Sequence, residues 1–386
     1  MSISDTLLNR RTLLAAAVVV AVGGGVTLHN LPQGSKVIQS PITPEFTPEL
    51  EEIVNFTEAY EGGAVLWQNG LWHAYGGRKW PGRSLNDLLN THEIYDPTKT
   101  APILIEMPMA VTDMAAFSLN DKLFSVGGSR EFPNGDYHGA IDDVISFSQK
   151  NGWREDHEPF PHAIHDAKAA VVDKAAFIFC GWVRRNGYYE HGIYKSNEQG
   201  GWDVDYEKIS KPVAPITTAV SGKKIYALGH LERAAEEDYN KWFLQIYDTK
   251  KRKVELKKAP KEFGSYYHDH GTMCAHLFVQ YDHLRFIGWN SWSVPDRNAS
   301  VFTYLPEEND WRKDFELIVS HDLSYYPIST VHDNHVYFAG VPHFTIPSHN
   351  TPAYRFELPR TGKKHFDIAF SSFDSNSSTK CLQEPE

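Results

Sequence analysis

KLFSVGGSREF, residues 122–132, is a short alternating apolar run halted by two glycines and followed by charge. A glycine pair after one strand marks a turn; a pair that returns at a fixed interval marks a repeat. It returns. LWHAYGG ends at Gly77, KLFSVGG at Gly128, AFIFCG at Gly181, KIYALG at Gly229, LRFIG at Gly288 and VYFAG at Gly340, with successive spacings of 51, 53, 48, 59 and 52. The chain therefore carries six units of about 50 residues.

Each unit holds more than its glycine. Upstream, a second apolar run is joined to the first by a polar turn, as in AVLWQNGLWHAY, MAAFSLNDKLFSV and TTAVSGKKIYAL. Alternation bounded by Asn, Asp and Gly is the pattern of a hairpin. Downstream, 13 to 19 residues past the glycine, an aromatic marks a third strand: Tyr95, Phe147, Tyr194, Tyr247, Tyr304 and Phe356. Trp153, Trp202 and Trp311 open a fourth in three of the units. Six four-stranded antiparallel sheets cannot bury their faces singly, so the spacing predicts an all-β ring of six blades.

The pattern resembles the kelch family of β-propellers, in which a glycine doublet follows the second strand and a Tyr and a Trp follow at such spacings. The likeness covers about residues 55–370; only the first two units keep both glycines, with Cys180, Leu228, Ile287 and Ala339 standing in elsewhere. The aromatics are expected to fill the space between blades. Residues 31–54 read as a lead-in, with KVIQS (36–40) as a spare edge strand, HFDIAF (365–370) as the sixth unit's own fourth strand, and 371–386 as a polar tail. LERAAEEDYNKW (231–242) is the best helical stretch.

Residues 1–30 read differently. Arg10 and Arg11 precede an apolar run from Thr12 to Leu28, the layout of a signal peptide or of a retained membrane anchor. Either places the ring outside the cytoplasm, in the periplasm or beyond, with the membrane reached only through this segment. The adjacent arginines resemble a twin-arginine export signal. Cys180, Cys274 and Cys381 supply no disulfide framework. A net charge of −11 argues against a nucleic-acid partner. No Walker loop, paired CxxC or HExxH is present, and no cofactor or metal is expected; His268 and His270 alone are too few ligands for tight zinc.

The kelch resemblance also implies where a site lies: the starts of the innermost strands and the loops after the second strands share one mouth of the central channel. Counting back 12 to 19 residues from each glycine gives Glu58, Asp113, Asp166, Thr217, Asp269 and Tyr326, with His165, His268 and His270 beside them. Counting forward gives Arg78, Arg130 and Arg184. The candidate ligand residues are thus Glu58, Arg78, Asp113, Arg130, Asp166, Arg184, Asp269, His270 and Tyr326. Each taken alone is an ordinary solvated turn residue. Gathered at one mouth, arginine forks and carboxylates suit an anionic sugar, a glycan or a protein partner. A binding module is the favoured reading. The alternative is an enzyme like the exported bacterial sialic-acid mutarotases, which resemble six-bladed kelch rings and would move protons at an anomeric centre. Galactose oxidase shares the propeller, but its chemistry needs a reactive cysteine, and Cys180 falls at a strand end.

Overall fold

Two-residue polar turns fold each apolar pair back on itself. Asn69-Gly70, Asn120-Asp121, Asp173-Lys174 and Tyr281-Asp282 all have both residues at positive φ, the geometry that matches the twist of a tight hairpin. In this computed structural model the described residues are 45–46, 51–56, 60–79, 87–99, 101–130, 139–179, 181–183, 188–189, 192–198, 200–206, 209, 213–231, 242–260, 263, 275–289, 298–318, 325–332, 334–341 and 351–358. The chain divides into Met1–Ile42, none of it described, and Thr43–Glu386, which holds every element below.

Six antiparallel four-stranded sheets follow in order. Blade 1 is Ala64–Gln68, Leu71–Tyr75, Thr91–Tyr95 and Ile103–Glu106. Blade 2 is Ala115–Leu119, Lys122–Val126, Val144–Ser148 and Gly152–Arg154; blade 3 is Lys168–Val172, Ala175–Phe179, Ile193–Ser196 and Trp202–Tyr206. Blade 4 is Val213–Ser221, Lys224–Leu231, Trp242–Asp248 and Lys253–Lys258. Blade 5 is Ala275–Gln280, His283–Trp289, Asn298–Leu305 and Asp310–Ile318. Blade 6 is Tyr325–His332, His335–Val341 and Thr351–Glu357, and its fourth strand is Glu51–Phe56. Each blade's first strand contacts the next, and the last contacts the first, so the sheets form a closed six-bladed β-propeller.

Closure uses the start of the domain. Glu51–Phe56 runs antiparallel to Thr351–Glu357, and Glu45–Phe46 adds a short parallel strand on the outer edge of blade 5. The place beside Thr351–Glu357 is therefore taken from the N-terminal side, while the expected strand at 365–370 and the expected edge strand at 36–40 lie outside the described residues, as do the helical stretch over 232–241 and all three cysteines. At the seam, Trp67 of blade 1 stacks on His332 of blade 6 at 4.5 Å and meets Tyr337 at 4.8 Å. Among the described residues no helix is long and apolar enough to cross a membrane.

The landmark aromatics do what their spacing implies. Tyr95, Phe147, Tyr194, Tyr247, Tyr304 and Phe356 all lie on third strands and are all buried. Apolar clusters bridge blades 1 and 2, 2 and 3, 3 and 4, 4 and 5, and 6 and 1, so packing between blades holds the ring. The glycine doublets serve the same contact. Gly77 N donates to Val111 O at 2.7 Å and Gly128 N to Ile164 O at 2.7 Å, each reaching the turn that opens the next blade. A Cβ on Gly127 would sit 2.5 Å from Ile164 O, and its φ of 62° is closed to most side chains.

Candidate functional site

The turns that open successive blades are tied to one another around the mouth. Asp113 N donates to Gly62 O at 2.8 Å, and Asp166 N donates to Asp113 O at 2.9 Å. All three residues have left-handed backbones, with φ of 66°, 57° and 58° for Gly62, Asp113 and Asp166. Aspartate tolerates that region better than most residues, which explains its place in these turns. The blade 1 counterpart of Asp113 and Asp166 is thus Gly62, four residues past Glu58, which itself lies outside the described residues. Gly62 has no side chain to contribute, and the space above its Cα is filled by the Thr112 hydroxyl and the Asp113 carboxyl.

Four blades send charge to this point. Asp113 opens blade 2; His165, Asp166 and Lys168 open blade 3; Arg78 follows the second strand of blade 1, and His230 follows Gly229 in blade 4. His165 Nδ1 bonds Asp166 Oδ2 at 2.7 Å. Burial pushes the Asp166 carboxyl up, yet this bond and the charges of His165, Lys168 and His230 outweigh it and hold the group below its usual value. The carboxyl is hemmed in by the blades and still wetted, with 46% of its side chain exposed. Asp113 goes the other way. Burial, then the charge of Asp166, raise it to about 6 against the opposing pull of Arg78, Lys168 and His165. One mouth therefore holds a carboxylate that stays ionised and a neighbour that takes a proton in mildly acidic solution.

Of the sequence candidates, Arg78, Asp113 and Asp166 come together here. Arg78 is half-buried, and its Nε has no hydrogen-bond partner among the described residues. Arg130 lies 3.8 Å from Asp143 of its own blade, both well exposed. Tyr326 belongs to the first strand of blade 6, where the register breaks between Tyr325 and Ile328. Arg184, Asp269 and His270 lie outside the described residues. Thr217 serves the fold instead, since its Oγ1 accepts the backbone N–H of Leu277 at 2.9 Å and so joins blades 4 and 5. Lys168 and His230 escape the sequence count. The signal for His230 is present, since it follows its blade's glycine directly, as Arg78 follows Gly77. Among the described residues no three His, Cys, Asp or Glu side chains are grouped to hold a metal ion.

No family's sequence profile matches the chain. No curated protein matches it in sequence. Among solved structures it is similar to one described as "Structure of YjhT", with a TM-score of 0.56 and 12% identity over 76% of this chain and 93% of that one. At that identity the likeness carries the fold alone.

Proposed function

We propose that this propeller is a binding module that works outside the cytoplasm and takes a small anionic, sugar-like ligand at its channel mouth, as a kelch-like ring would. The observation that supports it is the convergence of Arg78, Asp113, His165, Asp166, Lys168 and His230 from four blades onto one wetted point. The cations suit a ligand carboxylate, and Asp166 accepts from ligand hydroxyls. Calorimetric titration with sialic acid and uronic acids tests it. Arg78→Ala and Asp166→Asn should each weaken binding about 10- to 100-fold, as expected for loss of one charged hydrogen bond. Affinity should also rise as pH falls through the Asp113 value of about 6, because its protonation removes a negative charge facing the ligand. Unchanged affinity in both variants would place the site elsewhere, and no binding of any of these acids would remove the small-ligand reading.

A second reading has one observation in its favour. A carboxyl poised at about 6 beside an ionised carboxylate is suited to proton transfer near neutral pH, which an enzyme of the mutarotase kind requires. Faster equilibration of sugar anomers in the presence of the ring, lost in Asp113→Asn, would favour it over binding alone. Export rests on the basic pair and apolar run at residues 10–28. Fractionation of expressing cells should find the ring outside the cytoplasm, with Arg10→Lys/Arg11→Lys blocking only a twin-arginine route. A cytoplasmic chain that keeps its first 30 residues would sink the export reading.

A further inference from the structure

The inner hairpins turn at the end of the ring opposite Asp113 and Asp166, because all six first strands lead away from that mouth. At this far end blade 4 differs from the rest. Its inner hairpin carries Lys223 and Lys224, and its outer hairpin carries Lys250, Lys251, Arg252 and Lys253. The two turns are fastened together: Thr249 N donates to Lys223 O at 2.9 Å and Thr249 Oγ1 donates to the same oxygen at 3.0 Å. Six cations drawn from two separate hairpins thus meet at one corner of a chain whose net charge is −11. Lys223, Lys251, Arg252 and Lys253 are half to three-quarters exposed.

Their acidic neighbours do not use them up. Lys223 pairs with Asp173, Lys251 lies 3.8 Å from Asp248, Arg252 lies 3.5 Å from Asp205 and Lys253 lies 3.5 Å from Glu255. The Lys223–Asp173 and Lys253–Glu255 pairs are exposed on both sides and worth about 0–1 kcal/mol, so these lysines can turn to a better partner. Arg252 is held more firmly, its Nε donating to Asp205 O at 3.0 Å, and adds fixed positive charge to the corner. Lys224 and Lys250 have no ion pair among the described residues. Protection of a bare sheet edge accounts for lysines further along the outer strand, as at Lys257 and Lys258. It does not account for lysines on turns, which have no edge to protect.

We propose that this corner docks on an anionic lipid surface. Two hairpin turns joined at the end of the ring present their cations together toward one side, which suits a flat array of phosphates, and a cluster of four to eight cations is what such a surface attracts. The neighbouring turn of blade 5 presents Tyr281, a 43% exposed aromatic of the kind that settles at headgroup level. The outer turn of blade 5 carries Glu307, Glu308 and Asp310, so the ring meets the surface tilted onto blade 4 rather than flat.

The test is co-sedimentation of the full chain with vesicles of phosphatidylcholine alone and of phosphatidylcholine with about one-third phosphatidylglycerol, at low and moderate salt. The anionic lipid should raise the bound fraction about tenfold, with the gain falling as salt rises. Lys223→Glu/Lys224→Glu and, separately, Lys250→Glu/Lys251→Glu should each abolish most of that gain while leaving binding to neutral vesicles, which reports the apolar segment at 12–28, unchanged. The proposal is overturned if the native chain shows no gain, or if the gain survives in both variants. It is also overturned if the chain is retained on a soluble polyanion such as heparin with no gain on anionic vesicles.

Discussion

Asp314→Ala should cost the ring about 3–5 kcal/mol, enough to remove much of an ordinary domain's stability. Asp314 and Arg285 are both fully buried in blade 5, and Arg285 Nη2 donates to Asp314 Oδ2 at 3.1 Å. The carboxylate is otherwise satisfied by Thr303 Oγ1 at 2.5 Å and by Arg312 Nε at 3.0 Å. Arg285 also donates to Gln280, whose Nε2 donates to Asn334 of blade 6 at 3.3 Å. The network thus crosses all four strands of the sheet, Gln280, Arg285, Thr303 and Asp314 coming one from each, and then reaches the next blade. Burial pushes the guanidinium down and Asp314 is what holds it up. Remove the carboxylate and a buried cation remains with no counter-charge. Replacing both partners by apolar residues, Arg285→Met with Asp314→Leu, should recover most of the loss, because no charge is then stranded. Urea unfolding of the three proteins decides it: a single-variant cost under about 1 kcal/mol, or a double variant no better than the single, contradicts this account.

Acid should destabilise the ring well above the range where carboxylates protonate. His73 and His92 of blade 1 are buried and bonded, His73 Nδ1 to His92 Nε2, at 2.9 Å. Tyr75 of the same sheet and Phe147 and Trp153 of blade 2 enclose them, and His92 Nδ1 has no hydrogen-bond partner among the described residues. Burial lowers His73 from 6.5 to about 4, with the backbone of Gln68 offsetting it in part; burial and then the neighbouring His73 lower His92 from 6.5 to about 3. A group whose folded value is depressed in this way is neutral in the fold and protonated when unfolded. The stability it gives is whole above pH 6.5 and is lost as pH falls toward 4. By about pH 4.5 the two together should have removed on the order of 5 kcal/mol. Unfolding midpoints between about pH 7 and 4.5 should therefore fall steeply, and His73→Asn/His92→Asn, which keeps hydrogen-bonding groups but does not titrate, should flatten the slope. An unaltered slope in that variant would assign the acid sensitivity to other groups.

The ring is legible because it is written in a periodic alphabet. Glycine landmarks, third-strand aromatics and the tryptophans at 153, 202 and 311 each repeat the same physical demand, a close backbone approach or a gap between blades to fill, and each lands where the spacing puts it. Closure is not legible, since Glu51–Phe56 lies before the first repeat and its sequence names no partner. The mouth is half legible. Asp113 and Asp166 sit in register, but the blade 1 position slips to Gly62, where the residue that completes the pattern is the one with no side chain. Lys168 reads as an ordinary strand residue, although it stands two places after Asp166. The Arg285, Thr303 and Asp314 set gives no signal at all: its members are related by sheet register and a bulge between Val301 and Phe302, not by any interval along the chain.

The strand that completes blade 6 is the first of that sheet to be synthesised, and the strand it pairs with is the last. Its partner, Thr351–Glu357, is about 300 residues downstream, so five blades can stack in order while Glu51–Phe56 waits unpaired. The hydrogen-bonded ladder between them ties the two ends of the ring, beside the packing of Trp67 on His332 and Tyr337. The assembly is latched like a bracelet whose clasp is forged before its links, and closing it spans the longest loop of the fold.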